Sequence, residues 1–252
     1  MILKGLKVLD LSNLLPGPMC SLFLADLGAD VIKIESPKGD SMRYFETHKN
    51  ISPYFDALNR NKKSILIDLK TLKGKKLFKE LAKNADIIIE SFRPGKASLL
   101  GVGYKDVKKI NSEVIYCSIS GYGQKGSYKY KAGHDLNYAS LSGVLDVISS
   151  KPFVPGVQIA DVGCALIAAF SILASVFYRE KHGKGNYIDV SAFHSALSLI
   201  GIHIAQRSIS NKKTILSGSK PCYNIYKTKD KKYVSLGAIE RKFWVLFCDS
   251  IN

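Results

Sequence analysis

The chain has 252 residues, 46% hydrophobic and 23% charged, which is the balance of a globular protein able to bury a sizeable core. Its formal net charge of +16 suits an anionic partner, but the basic residues are scattered lysines with no basic tail or arm, so nucleic acid is not the expected partner. The five cysteines (Cys20, Cys117, Cys164, Cys222, Cys248) are far apart and form no C-x-x-C, which excludes a zinc knuckle or disulfide framework and fits reduced thiols in a cytoplasmic protein.

The first seven residues lack a long apolar core, so no secretory signal is expected. Residues 7–11 (KVLDL) read as a buried strand. Pro16-Gly17-Pro18 then suits a helix entry, and that helix runs to Gly28. Residues 31–35 and 64–69 read as further strands. The stretch 71–84 is a helix with leucines on one side and lysines on the other. Residues 86–90 and 114–119 are two more strands, with a helix opening after Arg93-Pro94-Gly95 and ending near Gly101.

Strands alternating with helices predict right-handed crossovers and a Rossmann-like α/β fold: an open, mostly parallel sheet with flanking helices. No G-x-G-x-x-G follows the first strand, so a dinucleotide is not indicated. In such a sheet ligands bind beyond the carboxyl ends of the strands, where the turns at 16–18, 93–95 and 121–123 fall.

After Gly143 the pattern changes. An apolar helix follows Asp161; at residues 162–178 it is marginal for a membrane span and reads as a buried helix. A strand at 187–190 and a helix over 192–206 follow. These complete a large domain, residues 1–207. Residues 208–220 read as a polar linker. Residues 221–252 read as the start of a small α+β domain: a hairpin about the turn 229–231, then a helix from Arg241. That segment is too short to fold alone, so the chain is expected to be C-terminally incomplete or to borrow core from a partner.

Gly133-His134-Asp135 puts an imidazole beside a carboxylate, and histidine exchanges protons near neutrality. Taken singly, such a pair is as well explained by a loop histidine with a solvated neighbour. Asp161 alone reads as a helix N-cap, and Glu240 as a carboxylate at a helix start.

Several motifs, in order along the chain, resemble the family III CoA-transferase superfamily of the CaiB/BaiF type. They are residues 14–18 (LLPGP), 27–35 (LGADVIKIE), 58–63 (LNRNKK), 91–95 (SFRPG), 121–126 (GYGQKG) and 183–191 (GKGNYIDVS). The superfamily holds CoA-transferases and α-methylacyl-CoA racemases, and its members are longer than this chain. The resemblance implies Asp161 as an acid/base group in a racemase, or as the nucleophile that forms an acyl anhydride in a transferase. His134, with a glutamate partner in the motif Gly237-Ala238-Ile239-Glu240, resembles the racemase branch. Asp135 is expected to orient Asp161 by a shared proton or hydrogen bond, and the helix after Asp161 to offer N-terminal donors to an enolate oxygen.

The implied reaction is therefore epimerisation at Cα of a 2-methyl-branched acyl-CoA. The alternative is CoA transfer between carboxylic acids, and a third possibility is the fold without activity. The implied CoA-binding cations are Lys33, Arg60, Lys62 and Arg93; for each, a salt bridge or a solvated side chain is the competing reading. Tyr122 and Tyr138 are candidates for the acyl channel, with core packing as the alternative. No metal and no cofactor beyond the CoA of the substrate is implied. The implied partners are acyl-CoA and a second copy in an interlocked homodimer, not a membrane. Two departures from the family stand out: Lys33 and Ser36 occupy a stretch where relatives often have arginines, and His194 stands where they usually place a glutamate.

Overall fold

The computed structural model describes residues 1–149, 151, 153–210 and 214–251, and the strand–helix alternation read above becomes a six-stranded parallel sheet. β1 (Lys7–Leu11) leads into α1 (Pro16–Asp26), whose prolines sit in the first turn, where a missing N–H breaks no bond. β2 (Asp30–Glu35), α2 (Pro53–Asn59), β3 (Lys62–Leu66), α3 (Leu72–Lys83) and β4 (Ile87–Glu90) follow. Two short helices, α4 (Lys96–Leu99) and α5 (Tyr104–Lys108), precede β5 (Ile115–Ser120). Then come α6 (Asp135–Leu141), α7 (Val144–Ile148), α8 (Ile159–His182) and β6 (Tyr187–Ser191). The rest is α9 (Ala192–Leu199), α10 (Gly201–Ile209), β7 (Tyr223–Lys227), β8 (Tyr233–Gly237) and α11 (Arg241–Ile251).

The strand order is β3-β2-β1-β4-β5-β6, with every neighbouring pair parallel. The order reverses between β1 and β4. Beyond their carboxyl ends the two flanking loops diverge and leave a crevice. The loops are tied there by the Asn13 N–H, which donates to Ser91 Oγ at 2.9 Å.

β4 is apolar at successive positions because both of its faces are covered. On one face Leu9, Leu11, Ile88 and Tyr116 pack with Phe78, Ala82 and Val107. On the other lie α1 and α8. α8 is long and apolar enough to cross a membrane by length and composition, but one face of it (Ala160, Cys164, Ala168, Ile172) is buried, and the helix packs on α1, α6, β5 and β6. Near its end Arg179 pairs with Asp86 at 2.9 Å, at the start of β4.

The chain divides into two compact units: Met1–Ser142 with Pro155–Ala196, and Gly143–Val154 with Leu197–Asn252. The expected boundary after residue 207 is thus corrected. The break comes inside α9, and the α7 segment belongs with the C-terminal unit. Of the expected linker 208–220, residues 211–213 lie outside the described residues. The hairpin forms as read, with β7 and β8 antiparallel and Thr228 N–H donating to Lys232 C=O at 2.9 Å. Two further readings change. The third strand begins at Lys62, two residues early, because Lys62 registers with Val31. The helix expected over 192–206 is two helices, broken at Ile200-Gly201.

Candidate functional site

A cleft of ≈ 490 Å³ opens at the crevice between β1 and β4. Its wall combines the turn after β1 (Asn13 to Pro16), Ser91 after β4, Ile119 near the end of β5, and His134, Tyr138 and Asp161. Leu14 reaches it from a left-handed backbone (φ 66°), a costly conformation for a leucine that the surrounding loop contacts hold.

Asp161 is the third residue of α8. The residue before that helix, Gln158, makes no capping bond with its side chain. The cap comes instead from Asp135, whose Oδ1 accepts the N–H of Ala160 at 2.7 Å and of Asp161 at 3.0 Å. The reading of Asp161 as an N-cap is therefore replaced: Asp135 caps, and the Asp161 carboxyl is left to face the cleft. Of the shared proton or hydrogen bond expected, the structure has a hydrogen bond, made by the Asp161 backbone N–H. The N–H groups of residues 160 and 161 are also spoken for, so they do not serve an enolate oxygen. Burial, and then the charge of Asp135, push the Asp161 carboxyl from 3.8 up to about 7.

His134 precedes α6, exposed, with its N–H donating to Asn137 Oδ1 at 3.0 Å. It lines the same cleft as Asp161. Tyr138, one turn on, is buried and donates its hydroxyl to Gly133 C=O at 2.6 Å. Burial and the nearby Asp161 charge push its phenol up to about 12, so it stays a donor. A Cβ at Gly121 would stand 2.5 Å from the Tyr138 hydroxyl, and one at Gly133 2.8 Å from its ring, so the two glycines make room for this side chain. Tyr122 stacks edge-on against Tyr138 with centroids 5.1 Å apart and supports it rather than lining the cleft.

The four expected CoA cations are dispersed. Lys33 is buried, with Nζ on Asp40 Oδ2 at 2.9 Å and donating to Ser12 C=O at 2.9 Å. Lys62 Nζ donates to Pro18 C=O at 2.7 Å and Asn59 Oδ1 at 2.9 Å, and pairs with Asp10 at 3.3 Å. Its side chain is 1% exposed, and burial pulls its pKa down to about 8. Neither ammonium is presented to a phosphate; both are fixed inside. Arg60 is exposed and pairs with Asp26. Arg93 is exposed and lines a different pocket.

The network around Lys33 shapes the cleft. Asp40 also accepts the Met42 N–H at 3.0 Å. Glu35 holds Arg43 by two bonds at 2.6 and 2.7 Å. Burial alone would raise the Glu35 carboxyl, but Arg43, Ser64 and the Asp40 N–H outweigh it and hold it at about 2. These bonds fix residues 42–46, of which Met42, Phe45 and Glu46 form one wall of the cleft.

The model of CoA-transferase family III matches residues 3–252. The chain belongs to CoA-transferase family III. It is 37% identical to human succinyl-CoA:glutarate CoA-transferase, over 99% of this chain and 59% of that protein. It is 34% identical to human alpha-methylacyl-CoA racemase, over 100% of this chain and 65% of that protein. A solved CaiB/BaiF family protein from Brucella suis superposes with a TM-score of 0.84 at 33% identity, covering 92% of this chain and 64% of that one. The chain therefore spans about 59% of the length of the human glutarate transferase. The family is enzymatic, and the relatives divide between the two reactions.

Within this family III chain, His194 has a local account. Ser191 ends β6, and its Oγ accepts the His194 N–H at 3.3 Å and lies 2.7 Å from His194 Nδ1. Ser191 thus caps the start of α9, and the imidazole meets the same hydroxyl. Glu240 is exposed, in the C-terminal unit, directly before α11.

Proposed function

We propose that this chain inverts the α-carbon of a 2-methyl-branched acyl-CoA thioester by removing and returning a proton. The observation that carries the proposal is the pair His134 and Asp161 lining one cleft, with the Asp161 carboxyl held near 7. A group that titrates near the working pH is an effective base when ionised and an effective acid when protonated. One member takes the Cα proton, and the bonding electrons pass to the thioester oxygen as an enolate. The other member then delivers a proton to Cα, and the carbonyl re-forms. Asp135 positions Asp161 and keeps its carboxyl basic.

The cleft lining supports an uncharged acyl chain. Among the described residues it includes no Lys or Arg, and it carries Glu46 as well as Asp161. A dicarboxylic acyl group would bring its second carboxylate against two acids with no cation to pair it. Leu14, Met42, Phe45 and Ile119 offer apolar contact instead. Arg60 is a solvent-facing candidate for a CoA phosphate, since its exposed pair with Asp26 costs little to exchange. The proposal extends to a cytoplasmic homodimer that needs no cofactor beyond the CoA of its substrate. Glu240 remains in it as the carboxylate partner of the imidazole, supplied by the second subunit.

Incubation of one epimer of a 2-methylacyl-CoA in heavy water is the test. Deuterium at Cα and appearance of the other epimer are expected; their absence across several acyl-CoAs would sink the reading. The second reading is CoA transfer, favoured by the 37% identity to the human glutarate transferase. There the Asp161 carboxylate attacks the thioester carbonyl and expels CoA thiolate, leaving an acyl anhydride. Hydroxylamine trapping at Asp161 without Cα exchange would select it.

A further inference from the structure

A second pocket, of ≈ 270 Å³, lies on the opposite side of the sheet's carboxyl edge. Side chains alternate along β4 and β5, so Glu90 and Ser118 share the face of Ile88 and Tyr116, while Ile119 points to the face of α1 and α8. Glu90 and Ser118 line this second pocket; Ile119 lines the first.

The fold leaves three donors at this pocket unused. Gln124 lines it, and its buried Nε2 has no hydrogen-bond partner among the described residues. A buried amide donor without a partner is costly, and a ligand acceptor would relieve that cost. Arg93 and Lys105 are exposed, line the same pocket and form no ion pair among the described residues. Tyr104 and Tyr187 also line the pocket, their ring centroids 5.1 Å apart, backed by the buried Tyr116.

The floor carries the carboxyl of Glu90, and the Asp189 carboxyl lies nearby, accepting the Gln124 backbone N–H at 3.0 Å. Glu90 accepts the Ser118 hydroxyl on one oxygen and the Phe92 N–H at 2.7 Å on the other. Burial, with a smaller push from the Asp189 charge, outweighs these bonds and raises its carboxyl to about 7.

We propose that this pocket binds a small planar carboxylate, an aromatic or heteroaromatic acid. Its ring lies on the tyrosine wall, its carboxylate meets Arg93 and Lys105, and an acceptor on the ring takes the Gln124 amide. The flat fork of a guanidinium matches a carboxylate in two-point contact, and tyrosine faces favour a ring. The volume suits a single-ring acid. The site stands apart from the His134–Asp161 cleft and does not rest on the reaction proposed there.

Titration calorimetry and ligand-observed NMR on the whole chain test this, with nicotinate, benzoate, cyclohexanecarboxylate and inorganic phosphate as probes. Saturable binding of nicotinate is expected, with the saturated-ring acid and phosphate about tenfold weaker or more. Lys105→Gln and Gln124→Leu should each weaken nicotinate by about tenfold, with circular dichroism unchanged and melting not lowered. His134→Ala and saturating acetyl-CoA should leave it in place. The proposal is overturned if no aromatic acid binds saturably, if phosphate binds as well as nicotinate, if neither pocket variant weakens it, or if acetyl-CoA displaces it.

Discussion

Asp135 accepts the backbone N–H of Asp161 at 3.0 Å, and its charge helps raise the carboxyl of the same residue. One carboxylate thus caps the long helix and tunes the group that the helix carries. The two effects separate chemically. In Asp135→Asn an amide oxygen still caps, since asparagine serves that role as well as aspartate. The charge is lost, so the Asp161 pKa falls. The acid limb of the Cα exchange rate should move to lower pH, with little change in melting temperature. Asp135→Ala should show the same pH change and also lose about 1 kcal/mol of stability by urea unfolding. An unmoved acid limb in both variants would remove Asp135 from its positioning role.

Asp161 itself should cost stability at high pH. Its folded carboxyl is raised from 3.8 to about 7. Between those values the folded state binds more protons than the unfolded chain, so stability falls as pH rises. The contribution is fully present below about 4 and lost through about 7. Asp161→Asn removes the charge and with it this loss. Relative to the parent, the variant should gain stability from pH 5 to pH 8, by about 2–3 kcal/mol. Urea midpoints at the two pH values check it; a gain that does not grow with pH counts against the raised carboxyl. The same variant should lose Cα exchange by about a thousandfold, as expected for removal of a general acid/base group.

Much of this site was legible in the sequence, and the reasons differ by residue. Strands β1, β4 and β5 are buried on both faces, so their apolar runs show directly. The family resemblance points to His134 and Asp161, Tyr138 is an acyl-channel candidate, and the fold brings all three to one cleft. The cations were not legible. A lysine in a strand reads as a solvated end or a ligand contact, yet Lys33 is held inside by Asp40, seven residues on and across a turn. Nor was the cap on α8 legible, because Asp135 lies 26 residues before Asp161 and only the tertiary fold joins them. The short helices α2, α5, α6 and α7 carry too few turns to leave a periodic pattern. The second pocket went unread because its parts, Glu90 and Arg93, Lys105, Gln124 and Tyr187, come from four separate stretches.

Gly121→Ala should damage the cleft without touching its titrating groups. The added carbon would stand 2.5 Å from the Tyr138 hydroxyl and 2.7 Å from its ring. The ring must swing away and release its bond to Gly133 C=O. A loss of about 1–3 kcal/mol is expected, as for overpacking. Cα exchange should fall as Gly133-His134 loses its support. Near-ultraviolet circular dichroism would report the tyrosine displacement; an unchanged spectrum together with unchanged stability would contradict the packing described.

Lys33 separates a structural cation from a ligand-binding one. Its ammonium is 2.9 Å from Asp40 Oδ2, and both side chains are almost fully buried. Lys33→Met removes the charge and leaves Asp40 buried without its partner, which costs about 3–5 kcal/mol in comparable sites. Asp40 also accepts the Met42 N–H, so the wall at Met42, Phe45 and Glu46 should loosen with it. A residue that held a CoA phosphate would behave otherwise: binding would weaken, its salt dependence would flatten, and stability would stay near the parent. Unfolding and acetyl-CoA titration of the same variant distinguish the two. A large stability loss with an unchanged salt dependence of CoA binding is the expected outcome, because the buried ammonium cannot reach a phosphate without breaking its bonds to Asp40 and Ser12.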